Sequence, residues 1–257
     1  MTPDLLSAIV LLEPTEQPGC LEEVLLSLAV QEYSPLQVIV VCSEKQNDEV
    51  SIVAQNQPWP STTQFETILL QHGSKDNNAN RLNVALNTCR GQFVTVLCSS
   101  DVVYGFAFAK LIAVLHNGIE PVAVAGTRDA YIQADGYMAR KANHPRPGKR
   151  TNDIWFDEDC ARNFVIDRNR LKGSLVTEPA LDYFGTYFLL LALSLRNEFN
   201  FSLATESLFE RRTIAGQEKL SDDIERMRLR ARSKIIDWKS AQLTEFRTKS
   251  QALNPAG

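Results

Sequence analysis

The sequence predicts an α/β fold with a mostly parallel central sheet flanked by helices, and two features carry that prediction. Through roughly the first 125 residues, short apolar runs of strand length alternate with segments whose apolar residues recur at spacings of three and four, the marks of strand and helix respectively. The short runs are continuous rather than alternating, as in strands covered on both faces, which is the condition of a parallel sheet. The clearest unit is Arg81 to Tyr104. Leu82, Ala85, Leu86 and Cys89 mark a helix face, and Arg90 and Gly91 supply a cation and a glycine stop at its end. Phe93 to Cys98 then forms an apolar strand, broken by Ser99-Ser100-Asp101. Ligands of such sheets gather beyond the carboxyl ends of the strands, so Ser99, Ser100 and Asp101 stand at the expected site.

The remaining elements follow in order. Leu6 to Leu12 is the first strand, and Glu13 to Gly19, with two prolines and a glycine, is a loop at its carboxyl end. Cys20 to Val30 is a helix with Leu21, Val24, Leu25 and Leu28 on one face and Glu22 and Glu23 outside. Ser34-Pro35 turns the chain into a second strand, Val38 to Cys42. Ser43 to Glu49 is a polar loop, and Val50 to Gln55 a short helix ended by Pro58-Trp59-Pro60. Thr67 to Gln71 is a third strand, and His72 to Asn80 a polar loop before the Arg81–Tyr104 unit. Phe106 to His116 is the next helix and Val122 to Ala125 the next strand.

After Gly126 the pattern loosens. Tyr131 to Arg150 keeps no steady period and is basic towards its end (Arg140, Lys141, Arg146, Lys149, Arg150), which predicts a loop-like excursion over the sheet face. Phe164 to Ile166 is a short strand, Asp182 to Leu195 a buried helix, and Leu203 to Phe209 a last strand or an extended arm. Ser221 to Thr248 is a long helix with Asp222 and Glu225 spaced as a capping pair. The expected organisation is therefore one α/β domain over residues 1–215 and a C-terminal helical extension over 216–257. The extension carries an apolar stripe that includes Trp238 and Phe246, which predicts a homodimer through this helix.

Composition narrows the function. With 27 basic and 31 acidic residues the net charge is −4, so no global field favours nucleic acid. The five cysteines are scattered and lack CxxC spacing, which argues against a cysteine metal site and for a reducing, cytoplasmic setting. The opening Met1-Thr2-Pro3-Asp4 shows no basic leader. The most apolar stretch, Tyr183 to Leu195, is too short to span a bilayer, so no transmembrane segment is expected.

Several pieces in order then carry a resemblance: Leu21-Glu22-Glu23-Val24-Leu25-Leu26-Ser27-Leu28, Gln31 to Val41, Leu82-Asn83-Val84-Ala85-Leu86, Arg90-Gly91-Gln92-Phe93, and Leu97 to Asp101. Together, over roughly residues 5–213, the chain resembles the GT-A type inverting glycosyltransferases of family 2. The resemblance implies a Rossmann-like GT-A fold, a nucleotide-sugar donor, a glycan or other hydroxyl acceptor, and a divalent Mg or Mn ion. Where the family carries Pro-x-Tyr-Asn, this chain has Leu11-Leu12-Glu13-Pro14. Where it carries Asp-Asp-Gly-Ser, this chain has Cys42-Ser43-Glu44-Lys45. The family's Asp-x-Asp becomes Cys98-Ser99-Ser100-Asp101, and its final Arg-x-His becomes Arg211-Arg212-Thr213.

By position, the resemblance implies nucleotide-sugar contacts at Glu13, Ser43, Glu44, Arg81, Asn83, Ser99, Ser100 and Asp101, with Asp101 also the metal ligand. A departing diphosphate carries charge that a metal offsets, and Mg²⁺ needs only one or two protein carboxylates when phosphate and water complete its shell. A metal-free alternative places Arg211, Arg212 or the 140–150 cations on the diphosphate. Inverting transfer needs a base for the acceptor proton; the resemblance implies Asp182, with Glu178 in reserve. Each residue has a plainer role available: Asp101 as a cap, Asp182 as a helix-start carboxylate, Arg81 as a solvated helix residue. Trp155 and Phe156 suit a sugar face, although aromatics in such a loop more often anchor the loop itself. The thinned carboxylates keep open a second function, a GT-A-like binding or scaffold module without catalysis. A third, a nucleotidyltransferase, lacks a glycine-rich phosphate loop.

Overall fold

Parallel pairing joins the four strands that the apolar runs predict. The computed structural model describes residues 1–12, 18–70, 78–132, 138–143, 163–171 and 201–214, together with Ser233 and Asp237. Strands β1 (Thr2–Leu11), β2 (Leu36–Ser43), β3 (Gln64–Leu70) and β4 (Gly91–Cys98) lie in the order β3-β2-β1-β4, all parallel. The helices α1 (Pro18–Ala29), α2 (Asn47–Gln55), α3 (Asn78–Thr88) and α4 (Ala107–Asn117) supply the cover.

Both faces of β1, β2 and β4 are dry, which is why these strands read as continuous apolar runs, while β3 is the partly exposed margin. On one face Ala8 and Val10 of β1, Val38 and Val40 of β2, and Phe93 and Leu97 of β4 pack with α1, α2 and α4 through Leu25, Leu28, Val50, Phe108 and Leu111. On the other, Ile9, Ile39, Val41, Val94 and Val96 pack with Leu82, Ala85 and Leu86 of α3. The period-two alternation along each strand thus feeds two separate cores.

The second half of the sheet is mixed. It holds β5 (Asp101–Val103), β6 (Val122–Ile132), β7 (Met138–Asn143), β8 (Phe164–Asp167) and β9 (Ser202–Ile214). The order continues β4-β8-β6-β9-β5, with β7 paired to β6. Only β6 and β9 are parallel here; β8 runs antiparallel to β4 and β6, and β5 antiparallel to β9.

Three sequence expectations change at this point. Part of the stretch 131–150 is sheet rather than an irregular excursion: β6 runs on to Ile132 and returns as β7. Its polar sequence hides this, because a hairpin at a sheet margin needs no apolar run. The segment after Ser99-Ser100 re-enters the sheet as β5, a strand too short to show a period. Gly91 is not a helix stop but the first residue of β4. A Cβ there would sit 2.4 Å from the Leu5 carbonyl oxygen and 2.8 Å from Ser7 Oγ, so the close approach of β1 demands glycine. That approach is part of a buried network in which Gly91 N–H donates to Ser7 Oγ (2.9 Å) and Ser7 Oγ donates to Gln37 Oε1 (2.6 Å).

The expected helices Asp182–Leu195 and Ser221–Thr248, and with them the proposed dimer stripe, lie outside the described residues; Ser233 and Asp237 are helical and exposed. Among the described residues no helix is long and apolar enough to cross a membrane.

Candidate functional site

The parallel strands all end at one edge of the sheet, at Leu11, Ser43, Leu70 and Cys98. Strand order reverses across β1, with β2 and β3 on one side and β4 on the other. Sheets of this topology bind ligands in a crevice at such a switch point, which here falls beyond the carboxyl ends of β1 and β4.

Arg81, in the first turn of α3, is the unusual residue of this edge. It is only 8% exposed, and its Nε is buried without a hydrogen-bond partner among the described residues. Its guanidinium acts on the thiol of Cys42 at the end of β2: burial pushes that thiol up to about 11, and Arg81 pulls against the shift. The plain alternative of a solvated helix face is therefore not what the structure holds. Asn83 follows on the same helix, half-buried.

The turn from β4 into β5 presents the next group. Ser99 is fully buried and Ser100 half-buried. Asp101 is 7% exposed, and its Oδ2 accepts the backbone N–H of Cys98 (2.8 Å), which closes the turn. The Ser100 carbonyl accepts the Arg212 N–H (3.0 Å), and Asp101 lies opposite Arg211 in the β5–β9 register. Ser43, at the end of β2, donates from both its backbone N–H (3.1 Å) and its hydroxyl (2.8 Å) to Gln46 Oε1. Glu44 is exposed at the start of the short 3-10 turn that follows. Glu13, Asp182, Glu178, Trp155 and Phe156 lie outside the described residues.

The two cations offered for the diphosphate are engaged elsewhere. Arg211 donates from Nε (2.9 Å) and sits with Nη2 2.7 Å from the same Oδ1 of Asp129, a carboxylate 4% exposed on β6. Arg212 pairs with Glu23 of α1 and, at 3.3 Å, with the buried Glu210. Tyr104 Oη donates to the other oxygen of Glu210 (3.3 Å). Asp129 and Glu210 were not marked by the sequence, because neither sits in a motif and Asp129 falls where the pattern loosens. Their arginine partners were marked, and a carboxylate as buried as Asp129 or Glu210 needs a paired cation.

The implied divalent ion finds little on this edge. No group of three His, Cys, Asp or Glu side chains among the described residues is placed to hold a metal. Asp101 already spends one oxygen on its turn. The described residues alone do not form a resident metal centre.

Known structures share this fold. No curated protein matches the chain. Among solved structures, residues 1–349 of TarS from S. aureus in complex with UDP superpose with a TM-score of 0.57 at 16% identity, covering 81% of this chain and 60% of that one. The mannosyltransferase PcManGT from Pyrobaculum calidifontis, in complex with GDP-Man and Mn²⁺, gives 0.57 at 14% identity, with coverages of 93% and 64%. This chain thus spans about three fifths of the TarS fragment, and identities this low speak for the fold. The model of the family described as glycosyltransferase like family 2 matches residues 11–212. With the GT-A sheet and that match over most of its length, the chain belongs to glycosyltransferase family 2.

Proposed function

We propose that the chain transfers a sugar from a nucleotide-diphosphate donor to a hydroxyl acceptor, binding the donor in the crevice between Arg81 and Asp101. The observation that carries this reading is Arg81. A guanidinium stays charged, and holding it buried with an unmet N–H costs free energy that a folded chain rarely leaves uncompensated. An acceptor oxygen of a nucleotide, on its base or its phosphate, offsets that cost. The first turn of α3 adds the positive end of a helix to the same place.

In the transfer itself the acceptor O–H bond gives its proton to a base, the acceptor oxygen bonds the anomeric carbon, and the bond from that carbon to the diphosphate oxygen breaks. Asp182 is the base this reading assigns. A divalent ion, when bound, stabilises charge on the departing diphosphate. With Asp101 as its single protein carboxylate it would arrive with the nucleotide rather than precede it. A glycan is the acceptor class, and the segment 216–257 the subunit contact, that accompany this reading.

Calorimetry with UDP and GDP, each with and without Mn²⁺, tests the donor site. Nucleotide binding that Mn²⁺ strengthens, and that Asp101→Asn no longer lets it strengthen, supports the proposal. Absence of any nucleotide binding at millimolar concentration ends it. The thinned carboxylates favour a second reading, a binding module without catalysis; donor binding with no sugar release or transfer in the same samples selects it.

A further inference from the structure

The far edge of the sheet carries a second concavity, built by an irregularity in β9. Three steps along β6, from Val124 to Thr127, are matched by six along β9, from Leu203 to Phe209. The surplus residues form a bulge, a device found at sheet edges and beside sites. They place Thr205, Glu206 and Ser207 against Tyr104 and Phe106, which link β5 to α4, and against Arg128 of β6, around a groove of about 520 Å³. That volume lies within the roughly 300–1,000 Å³ usual for small-molecule sites.

The chemistry of the lining is specific. Tyr104 and Phe106 stand with ring centroids 6.1 Å apart at 39°. Arg128 lies over the Tyr104 ring (5.8 Å to the centroid) and Lys110 over the Phe106 ring (4.8 Å). Lys110 also pairs with Glu206. These cations orient the rings, yet Phe106 remains 38% exposed. The groove therefore offers an apolar ring surface, a carboxylate acceptor, a guanidinium donor, and hydroxyls that both donate and accept. A pyranose needs that combination: its C–H face packs on an aromatic ring, and its hydroxyls, each both donor and acceptor, pair with the mixed polar rim.

We infer that this groove binds a saccharide unit of the acceptor, an inference that rests on the sugar-transfer reading for its role though not for its chemistry. Tyr104 follows Asp101 by three residues, about 10 Å of extended chain. A sugar in the groove thus lies beside the crevice rather than in it, where it holds an acceptor chain near the reacting end. The Tyr104 Oη to Glu210 hydrogen bond ties the groove to the strand that bears Arg211 and Arg212.

The test is saturation-transfer NMR on the full chain, with the methyl glycosides of glucose, galactose, mannose and N-acetylglucosamine as probes at millimolar concentration. UDP and GDP binding is followed in parallel by calorimetry. At least one glycoside is expected to show transfer that falls fivefold or more in Phe106→Ala and in Glu206→Ala, both at exposed positions and so compatible with folding. Nucleotide binding should stay as in the parent, and both variants should still unfold in one cooperative transition. No transfer to any glycoside, or transfer equally strong in both variants, overturns the inference whatever the nucleotides do. Groove-dependent transfer without nucleotide binding upholds the saccharide site and ends the donor reading instead.

Discussion

Replacing Arg81 by methionine should stabilise the protein while weakening its nucleotide site, a combination that a merely structural arginine would not give. Arg81 is only 8% exposed, and its Nε lacks a partner among the described residues. An unmet buried donor costs about 1–3 kcal/mol. Methionine keeps much of the stem volume and adapts to gaps, so a net gain of about 1–2 kcal/mol is expected after imperfect repacking. At roughly 2–4 °C per kcal/mol for a chain of this size, the melting temperature rises by about 2–8 °C. A hydrogen bond from a charged donor contributes about 1.5–3 kcal/mol, so nucleoside diphosphate affinity falls about 10- to 100-fold. Differential scanning calorimetry and titration calorimetry on the same samples read both quantities. A variant that melts lower than the parent and binds nucleotide equally well would refute the reasoning, because Arg81 would then be a satisfied structural residue.

Other outcomes follow from the same structure. Gly91→Ala should destabilise by about 1–3 kcal/mol in chemical denaturation, since two of the three atoms its Cβ would crowd are backbone oxygens that cannot swing aside; an unchanged midpoint would show that β1 and β4 are farther apart than described. Arg211→Met should cost about 3–5 kcal/mol by taking the paired cation from the buried Asp129, and Arg211→Met with Asp129→Leu should recover most of that loss; equal damage in single and double variants would remove the pairing argument. Burial pushes the Cys42 and Cys89 thiols up from 9 to about 11. The unfolded chain then releases these protons first, so melting temperature should hold below pH 9 and fall as pH rises from about 9 to 11. A Cys42→Ala, Cys89→Ala double variant with the same decline would assign it to other groups. At neutral pH both thiols should alkylate more slowly than the half-buried Cys98, as read by mass spectrometry of the modified peptides.

Much of the fold was determined by the sequence alone, for a definable reason. Strands buried on both faces must be continuously apolar, so Ala8 to Leu11, Val38 to Val41 and Phe93 to Leu97 announce themselves. Helices covering such a sheet must present one apolar face, as Leu21, Val24, Leu25 and Leu28 do. The order of these pieces was enough to suggest the family before any coordinates. The mixed half was less legible, because pairing at a sheet margin is satisfied by backbone hydrogen bonds and asks little of the side chains, as β5 and β7 show.

Charge was decided only by tertiary structure. Arg81, Arg211 and Arg212 are alike in sequence, yet the fold pairs Arg211 with Asp129 across 82 residues and Arg212 with Glu23, while Arg81 Nε finds no partner among the described residues. The groove of Tyr104, Arg128 and Glu206 likewise depends on a slip between β6 and β9 that no local pattern encodes. Local periodicity governs what each segment becomes, because burial acts on neighbours along the chain. Which charges meet is set by register between distant strands, and that is a property of the folded sheet.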